Sequence, residues 1–156
     1  VDKDSEIFKV LTKSGITLDN EIELLKLAKE MDMVSIGLAF NMEDSIRIMK
    51  EAQPDIFCFH AGTTKGGLKG YDSGETIEQT AARTEEANII LRKIKPDVML
   101  IAHGAALENP IDAQYILNHT SCDGIWTGSS TERIPIEKAV YSTAKEFADL
   151  RFPTKK

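Results

Sequence analysis

Two histidines stand at the ends of apolar segments that have the length of β-strands. His60 closes the run Phe57-Cys58-Phe59, and His103 closes the run from Val98 to Ala102. An imidazole can accept a proton, donate one or ligate a metal near neutral pH, so a histidine at a strand exit is a candidate for chemistry. The alternative is that each ring simply ends its strand and bonds to backbone.

The loop that follows His60 has the composition of a binding loop. Residues 61–70 contain four glycines, two threonines and two lysines. Glycine lets the backbone approach a ligand closely, and threonine adds hydroxyl groups. Long loops in compact domains are often functional, although these glycines could also serve turns alone. The candidate ligand contacts are Gly62, Thr63, Thr64, Gly66 and Gly67, and the charges of Lys65 and Lys69 suit an anion.

The composition excludes several classes of function. The 156 residues are 42% hydrophobic and carry 19 basic and 25 acidic side chains, for a net charge of -6. No basic stripe is present, which argues against nucleic acid as the main partner. No apolar run is long enough for a membrane span, and the first residues lack the plan of a signal peptide, so we expect a cytoplasmic protein. Cys58 and Cys122 lie in or beside apolar segments and are expected to be reduced packing residues.

Hydrophobic periodicity and capping residues predict the elements that must position the histidines. The predicted helices cover Asp2–Gly15, Asp19–Met31 capped by Thr17 or Asp19, Met42–Ala52 begun by Asn41, Gly74–Lys93 capped by Ser73, Pro110–His119 begun by Asn109, and Pro135–Leu150. The predicted strands are Met33–Phe40, Asp55–His60, Val98–His103 and Asp123–Thr127. The turns Gln53-Pro54-Asp55 and Lys95-Pro96-Asp97 each precede a strand that ends in histidine, which hints at a repeated unit.

A helix followed by four strand-helix units with short connections is typical of parallel α/β folds. The first strand, Met33–Phe40, is almost continuously apolar, and we expect it to be buried on both faces. No linker divides the chain, so we predict a single domain over residues 1–156.

Three segments resemble the phosphoenolpyruvate hydrolase-like TIM-barrel family, also described as TIM-barrel signal-transduction proteins. They are His60-Ala61-Gly62-Thr63-Thr64-Lys65-Gly66-Gly67, His103-Gly104, and Gly128-Ser129-Ser130-Thr131-Glu132-Arg133-Ile134-Pro135. The resemblance extends from about Thr17 to Phe152, and the last segment is the most specific. The resemblance implies a TIM (β/α)8-barrel fold. This chain supplies about four of its eight strand-helix units.

Two departures from the family pattern lie in the predicted ligand loops. The chain has His103-Gly104-Ala105-Ala106 where the family usually reads His-Gly-Gly-Pro, and Leu68-Lys69 where a small and an aliphatic residue are usual. These differences put the identity of the substrate in question.

The chain supplies only half of the eight strands that the fold implies, and it is shorter than a complete barrel. Complete barrels of this kind usually need about 250 residues. Four units therefore represent either a piece of a longer barrel or a half that pairs with a second copy, because a free half would expose strand edges and an apolar interior. If the 156 residues are the whole protein, we expect a homo-oligomer.

The resemblance implies a site at the carboxyl ends of the strands, where barrel enzymes place their chemistry. His60 and His103 would lie together at the carboxyl-terminal opening of the barrel if their strands are neighbours, about 4.8 Å apart. Gly104, Gly128, Ser129 and Ser130 occupy the usual phosphate-binding position, although serine is also common in turns. Arg133 could clamp a carboxylate or phosphate, and Glu132 could act as a base or metal ligand, or the two could form a surface ion pair.

The leading hypothesis is a phosphoenolpyruvate hydrolase-like hydrolase or lyase acting on a small phosphorylated or carboxylated metabolite. His60, His103 and Glu132 are the candidate catalytic residues, and Mg²⁺ is a possible cofactor. The alternative is a ligand-sensing or signal-transduction module that keeps the anion pocket without turnover, since fold does not fix function. A third possibility is hydrolysis assisted by a metal bound to the two histidines. His119 near a helix end is assigned no chemistry. Trp126 in a short strand is expected to pack in the core or between the barrel and its helices, and not to stack on a ligand.

Overall fold

The computed structural model describes residues 5–68, 70 and 74–151. These residues form ten elements in an order that confirms a helix followed by strand-helix units. The helices are α1 Glu6–Lys13, α2 Leu18–Glu30, α3 Met42–Glu51, α4 Ile77–Ile94, α5 Pro110–His119 and α6 Arg133–Ala148. The strands are β1 Ile36–Ala39, β2 Ile56–His60, β3 Met99–His103 and β4 Gly124–Ile125.

The four strands form one parallel sheet in the order β1-β2-β3-β4. Consecutive strands are therefore direct neighbours, as in a barrel rather than a doubly wound sheet. The register pairs Phe57 with Leu100 and His60 with His103. The predicted fold is confirmed at the level of a parallel α/β sheet of the size expected for half of a barrel.

Side-chain caps determine where several helices begin. Asn41 accepts a hydrogen bond from the backbone N–H of Asp44, as the sequence predicts. The start predicted for α4 at Gly74 is wrong by three residues, because Thr76 and Gln79 form a reciprocal capping box that begins the helix at Ile77. The predicted cap, Ser73, lies outside the described residues.

The main core lies between the sheet and its helices. Phe57 and Leu100 project from neighbouring strands towards α3 and α4, where they pack with Ile48 and Leu91, and all four side chains are at most 1% exposed. Burying a side chain of this size stabilises a fold by about 1.5–3 kcal/mol. The sequence did not predict that Thr80, Thr84 and Asn88 of α4 are also buried.

The opposite face of the sheet has no layer of described residues over it. Ile36 is 43% exposed and Met99 is 49% exposed, and Phe40 just after β1 is 57% exposed. The prediction that β1 is buried on both faces is therefore wrong for this chain by itself. In a complete barrel this face would be the packed interior.

The amino end of the sheet is tied by Asp55. Its Oδ2 accepts hydrogen bonds from the backbone N–H of Ser35 at 2.8 Å and from the Ser35 hydroxyl at 2.9 Å. These bonds lower the pKa of Asp55. Asp97 follows the second Pro-Asp turn, but its side chain makes no hydrogen bond or ion pair with any described residue, so the two turns are not equivalent in structure.

Candidate functional site

The carboxyl edge of the sheet brings the two histidines together. His60 ends β2 and His103 ends β3, and the parallel register places them directly opposite each other. Their ring centroids are 4.6 Å apart and the rings meet edge to face at 80°. Each ring is partly exposed, so one small ligand can contact both.

Different backbone partners assign different tautomers to the two rings. His60 Nδ1 accepts a hydrogen bond from the N–H of Gly62 at 3.1 Å, so neutral His60 carries its proton on Nε2. His103 Nδ1 lies 2.8 Å from the carbonyl oxygen of Trp126, so it donates its proton there and leaves Nε2 as an acceptor. The pair therefore offers one donor and one acceptor.

The surroundings of His60 keep its ring neutral. Burial is the main cause, and the neighbouring His103 adds to it, so the pKa of His60 falls to about 4 from its ordinary 6.5. A hydrogen bond to backbone opposes the change. Near pH 7 His60 thus acts as a neutral hydrogen-bond donor and not as an imidazolium acid.

Two further aromatic rings, one after β1 and one after β4, lie next to the histidine pair. Phe40 follows β1 with its ring centroid 4.3 Å from that of His60, and Trp126 follows β4 with its centroid 5.9 Å from that of His103. The prediction that Trp126 is a packing residue within a strand is wrong. Among the described residues it follows β4, and its side chain is 42% exposed and borders the site.

The loop from β2 to α4 crosses the exit of β3. Ala105 donates its N–H to the carbonyl of Gly62 at 2.8 Å and accepts from the N–H of Lys65 at 3.0 Å. Thr64 is buried, whereas Thr63 is exposed. The predicted binding loop therefore lies over the carboxyl edge, close to both histidines, although Lys69 lies outside the described residues.

The Ala105 departure from the family pattern has a visible conformational consequence. Ala105 has φ 47°, in the left-handed region that glycine adopts at little cost. Gly104 before it has φ 91°, and a Cβ there would collide with the carbonyl oxygen of Gly62 and approach the His60 ring to 3.0 Å. Gly104 is thus required for the close packing of the loop on His60.

Arg133 contacts the glycine loop. Its Nη1 donates to the carbonyl of Gly66 at 2.8 Å and its Nη2 to the carbonyl of Thr64 at 3.1 Å. Its ion-pair partner is Glu137 at 3.3 Å and not Glu132, which the sequence offered as one alternative. Glu132 is exposed and makes no capping hydrogen bond with its side chain. Sequence reasoning missed Glu137, although its i, i+4 spacing from Arg133 on a helix was a usable signal.

The loop before α6 approaches the site from β4. Gly128 lies beside His103, whose Cε1 would be 3.6 Å from a Cβ at this glycine. Ser130 donates its hydroxyl to the carbonyl of Leu107 at 2.8 Å, which ties this loop to the exit of β3. Ser129 is partly buried, and its backbone carbonyl accepts from Ile134.

The described residues do not fit a metal ion at this site. Among them, no group of three or more His, Cys, Asp or Glu side chains is placed to hold one. Glu137 accepts from the N–H of Leu68, and Glu108 lies 3.9 Å from Lys65. Ligation by both histidines would require His60 to lose the proton on Nε2 while Nδ1 still accepts from Gly62, which neutral imidazole cannot do.

Comparison with known protein families gives a match over almost the whole chain. Residues 3–150 match the family described as phosphoenolpyruvate hydrolase-like. The chain belongs to this family. The family resemblance seen in the sequence is thereby confirmed.

Relatives of known name include much longer proteins. The chain is 27% identical over 141 residues to the ToMV susceptible protein tm-1(GCR26) and to the ToMV resistance protein Tm-1(GCR237), both of Solanum lycopersicum. These matches cover 90% of this chain and 19% of each relative. It is 24% identical over 143 residues to y4pA of Sinorhizobium fredii, provisionally named a transcriptional regulatory protein, with 86% of this chain and 22% of the relative covered. The chain thus spans about a fifth of the length of these relatives.

Within the described part of the chain, no helix is both long enough and apolar enough to cross a bilayer.

Proposed function

We propose that this phosphoenolpyruvate hydrolase-like chain is an enzyme that binds a small phosphorylated or carboxylated metabolite, such as phosphoenolpyruvate, at the carboxyl edge of its sheet. The observation that carries the proposal is the histidine pair, with centroids 4.6 Å apart and opposite tautomers. A donor and an acceptor side by side are what general acid-base chemistry requires.

The tautomers assign a role to each ring. His103 Nε2 is the base that takes a proton from an attacking water as its oxygen bonds to phosphorus. The Nε2–H of His60 donates a hydrogen bond to the enolate oxygen as the bond from phosphorus to that oxygen breaks. His103 then returns its proton to the enolate, so both histidines end the reaction in the protonation states in which they began. Because His60 stays neutral, it stabilises the developing charge without transferring its own proton.

Backbone groups supply the anion-binding side of this mechanism. Gly104 lies beside the His60 ring and Gly128 beside the His103 ring. Ser129 and Ser130 follow Gly128 in the chain, and α6 begins at Arg133, three residues after Ser130. The amino end of a helix favours negative charge. Arg133 contributes positive charge nearby, although its Nη atoms already contact the glycine loop.

Phosphorus NMR of phosphoenolpyruvate with the purified chain tests this function directly. We expect inorganic phosphate to appear with the wild type, and its rate to fall roughly 100-fold or more in His103→Ala, within the range for loss of a general base. His60→Ala should also slow the reaction, and His119→Ala, far along α5, is the matched control. Runs with and without Mg²⁺ examine the metal separately. Wild-type rates in both site variants would exclude the acid-base assignment.

A second candidate is a ligand-sensing module that has no turnover. Two relatives carry names that refer to ToMV resistance or susceptibility, and a third is provisionally named a transcriptional regulatory protein. These names favour action through other macromolecules. Line broadening of the phosphorus signal without product would support the sensor, whereas steady product formation would exclude it.

The open face of the sheet supports a proposal about assembly. The exposed side chains of Ile36, Phe40 and Met99 would be covered if a second half completed the barrel. We expect the isolated 156-residue chain to self-associate at micromolar concentration, through this face. Light scattering measures the mass, and a monomer at that concentration would contradict the expectation.

A further inference from the structure

Two side chains on the first turns of α6 hold the glycine loop from outside the histidine pair. Arg133 donates to the carbonyls of Thr64 and Gly66, at 3.1 Å and 2.8 Å. Glu137 Oε2 accepts from the N–H of Leu68 at 2.6 Å and lies 3.3 Å from Arg133 Nη1. We call Arg133 and Glu137 the α6 clamp.

The clamp is partly shielded from water and matches the sequence of the loop. The side chains of Arg133 and Glu137 are 26% and 18% exposed, which strengthens their charge-assisted hydrogen bonds relative to a surface pair. Gly67 has φ 73°, and a Cβ there would collide with Glu137 Oε2 and lie 2.7 Å from Arg133 Nη1. A side chain at this position would have to displace the ends of Glu137 and Arg133, and it would also strain the left-handed backbone.

A short path of hydrogen bonds and loop backbone leads from the clamp to the candidate site. Thr64, held by Arg133, is two residues after Gly62. Gly62 donates its N–H to His60 Nδ1 and accepts at its carbonyl from Ala105. Movement of the loop at Thr64 therefore alters the hydrogen bond that assigns the tautomer of His60.

We propose that Arg133 and Glu137 are positioning residues that fix the glycine loop and thereby keep the proton of His60 on Nε2, on the side away from the Gly62 hydrogen bond. Neither side chain needs to touch the substrate. The catalytic consequence rests on the proposed function, because His60 must act on the substrate for its tautomer to matter. The structural part, the order of the loop and the tautomer of His60, does not.

Amide hydrogen exchange and imidazole ¹⁵N chemical shifts test the structural part without any substrate. In Arg133→Lys and Glu137→Ala we expect exchange of the Leu68 amide to accelerate roughly 10-fold or more, as loss of a charge-assisted bond implies. The His60 nitrogen shifts should move towards those of mixed tautomers at pH 7.5. Glu137→Gln keeps an acceptor for Leu68 and should retain most of the protection. Lys138→Ala, exposed on the same helix, should match the wild type.

Two results would overturn the proposal. One is a wild-type tautomer and wild-type loop exchange in both Arg133→Lys and Glu137→Ala. The other is global unfolding of Arg133→Lys, judged by circular dichroism, because the pair would then hold the fold and not the loop.

Kinetics separate this proposal from the proposed function. If phosphoenolpyruvate is turned over, Arg133→Lys should lower kcat with KM largely unchanged, because lysine keeps the positive charge near the anion but loses the paired hydrogen bonds that hold the loop. If the wild type has no activity but the loop and tautomer change as expected, the proposed function fails and the positioning role stands.

Discussion

Replacing His60 with asparagine should remove a specific part of the dependence of stability on pH. The asparagine Oδ1 can accept from the N–H two residues ahead, as His60 Nδ1 does from Gly62, but it does not titrate. The pKa of His60 is about 4 in the folded chain against an ordinary value of 6.5. The unfolded chain therefore binds the proton first as pH falls.

The sign and size of the effect follow from this difference. The contribution of neutral His60 is fully present above about pH 6.5 and is lost as pH falls to about 4, below which both the folded and the unfolded state are protonated. At about 1.4 kcal/mol per pH unit the gap corresponds to about 3 kcal/mol. Partial exposure of the ring reduces this to about 1–2 kcal/mol.

Urea unfolding at several pH values measures the effect. We expect the wild type to lose about 1–2 kcal/mol more than His60→Asn between pH 7.5 and 4.5. NMR titration of the His60 ring checks the pKa independently. His119→Asn is the control, because this exposed ring lies on α5 away from the sheet edge. Parallel stability profiles for the wild type and His60→Asn would refute the reasoning.

Two further predictions concern stability. Asp55→Ala should destabilise the chain by about 1–3 kcal/mol in urea unfolding, because it leaves the buried N–H of Ser35 without its acceptor. Asp97→Ala is the control and should change stability by less than about 0.5 kcal/mol. Equal effects of the two substitutions would contradict this account. Gly104→Ala should destabilise by about 2 kcal/mol or more through left-handed strain and collision with the loop, and Ala105→Gly should be neutral or stabilising by up to about 1 kcal/mol. Thermal unfolding tests both, and a stable Gly104→Ala would show that the loop does not pack as described.

The sequence was sufficient for most of the scaffold, because the relevant signals are local. The apolar runs that end at His60 and His103 have strand length, and asparagine caps such as Asn41 lie next to the helices that they begin. Four strand-helix units in succession then favour a parallel sheet with neighbouring strands. The 4.6 Å approach of the two rings follows from that arrangement and the register.

The contacts that the sequence did not reveal join residues far apart in the chain. Arg133 contacts Thr64 across 69 residues, so its partner depends on the path of a loop and not on any local pattern. The tautomers depend likewise on which backbone groups meet each ring. Asn88 is buried because α4 packs near Cys122, whose Sγ accepts a hydrogen bond from the asparagine amide at 3.2 Å. The helical spacing from Ala81 and Leu91 places position 88 on the buried face of α4, but the polarity of an asparagine amide favours a solvent-exposed position.

Because of the parallel register of β2 and β3, contact between the two histidine rings reports that these strands have paired correctly. Side chains alternate between the two faces of a strand, so a slip of one residue would turn His103 towards the helices and bring Ala102 to the ligand side. The rings can meet only when the strands have paired as in the native sheet. The time at which a nuclear Overhauser contact between the His60 and His103 rings appears during refolding would therefore show when these two strands pair, with no added probe.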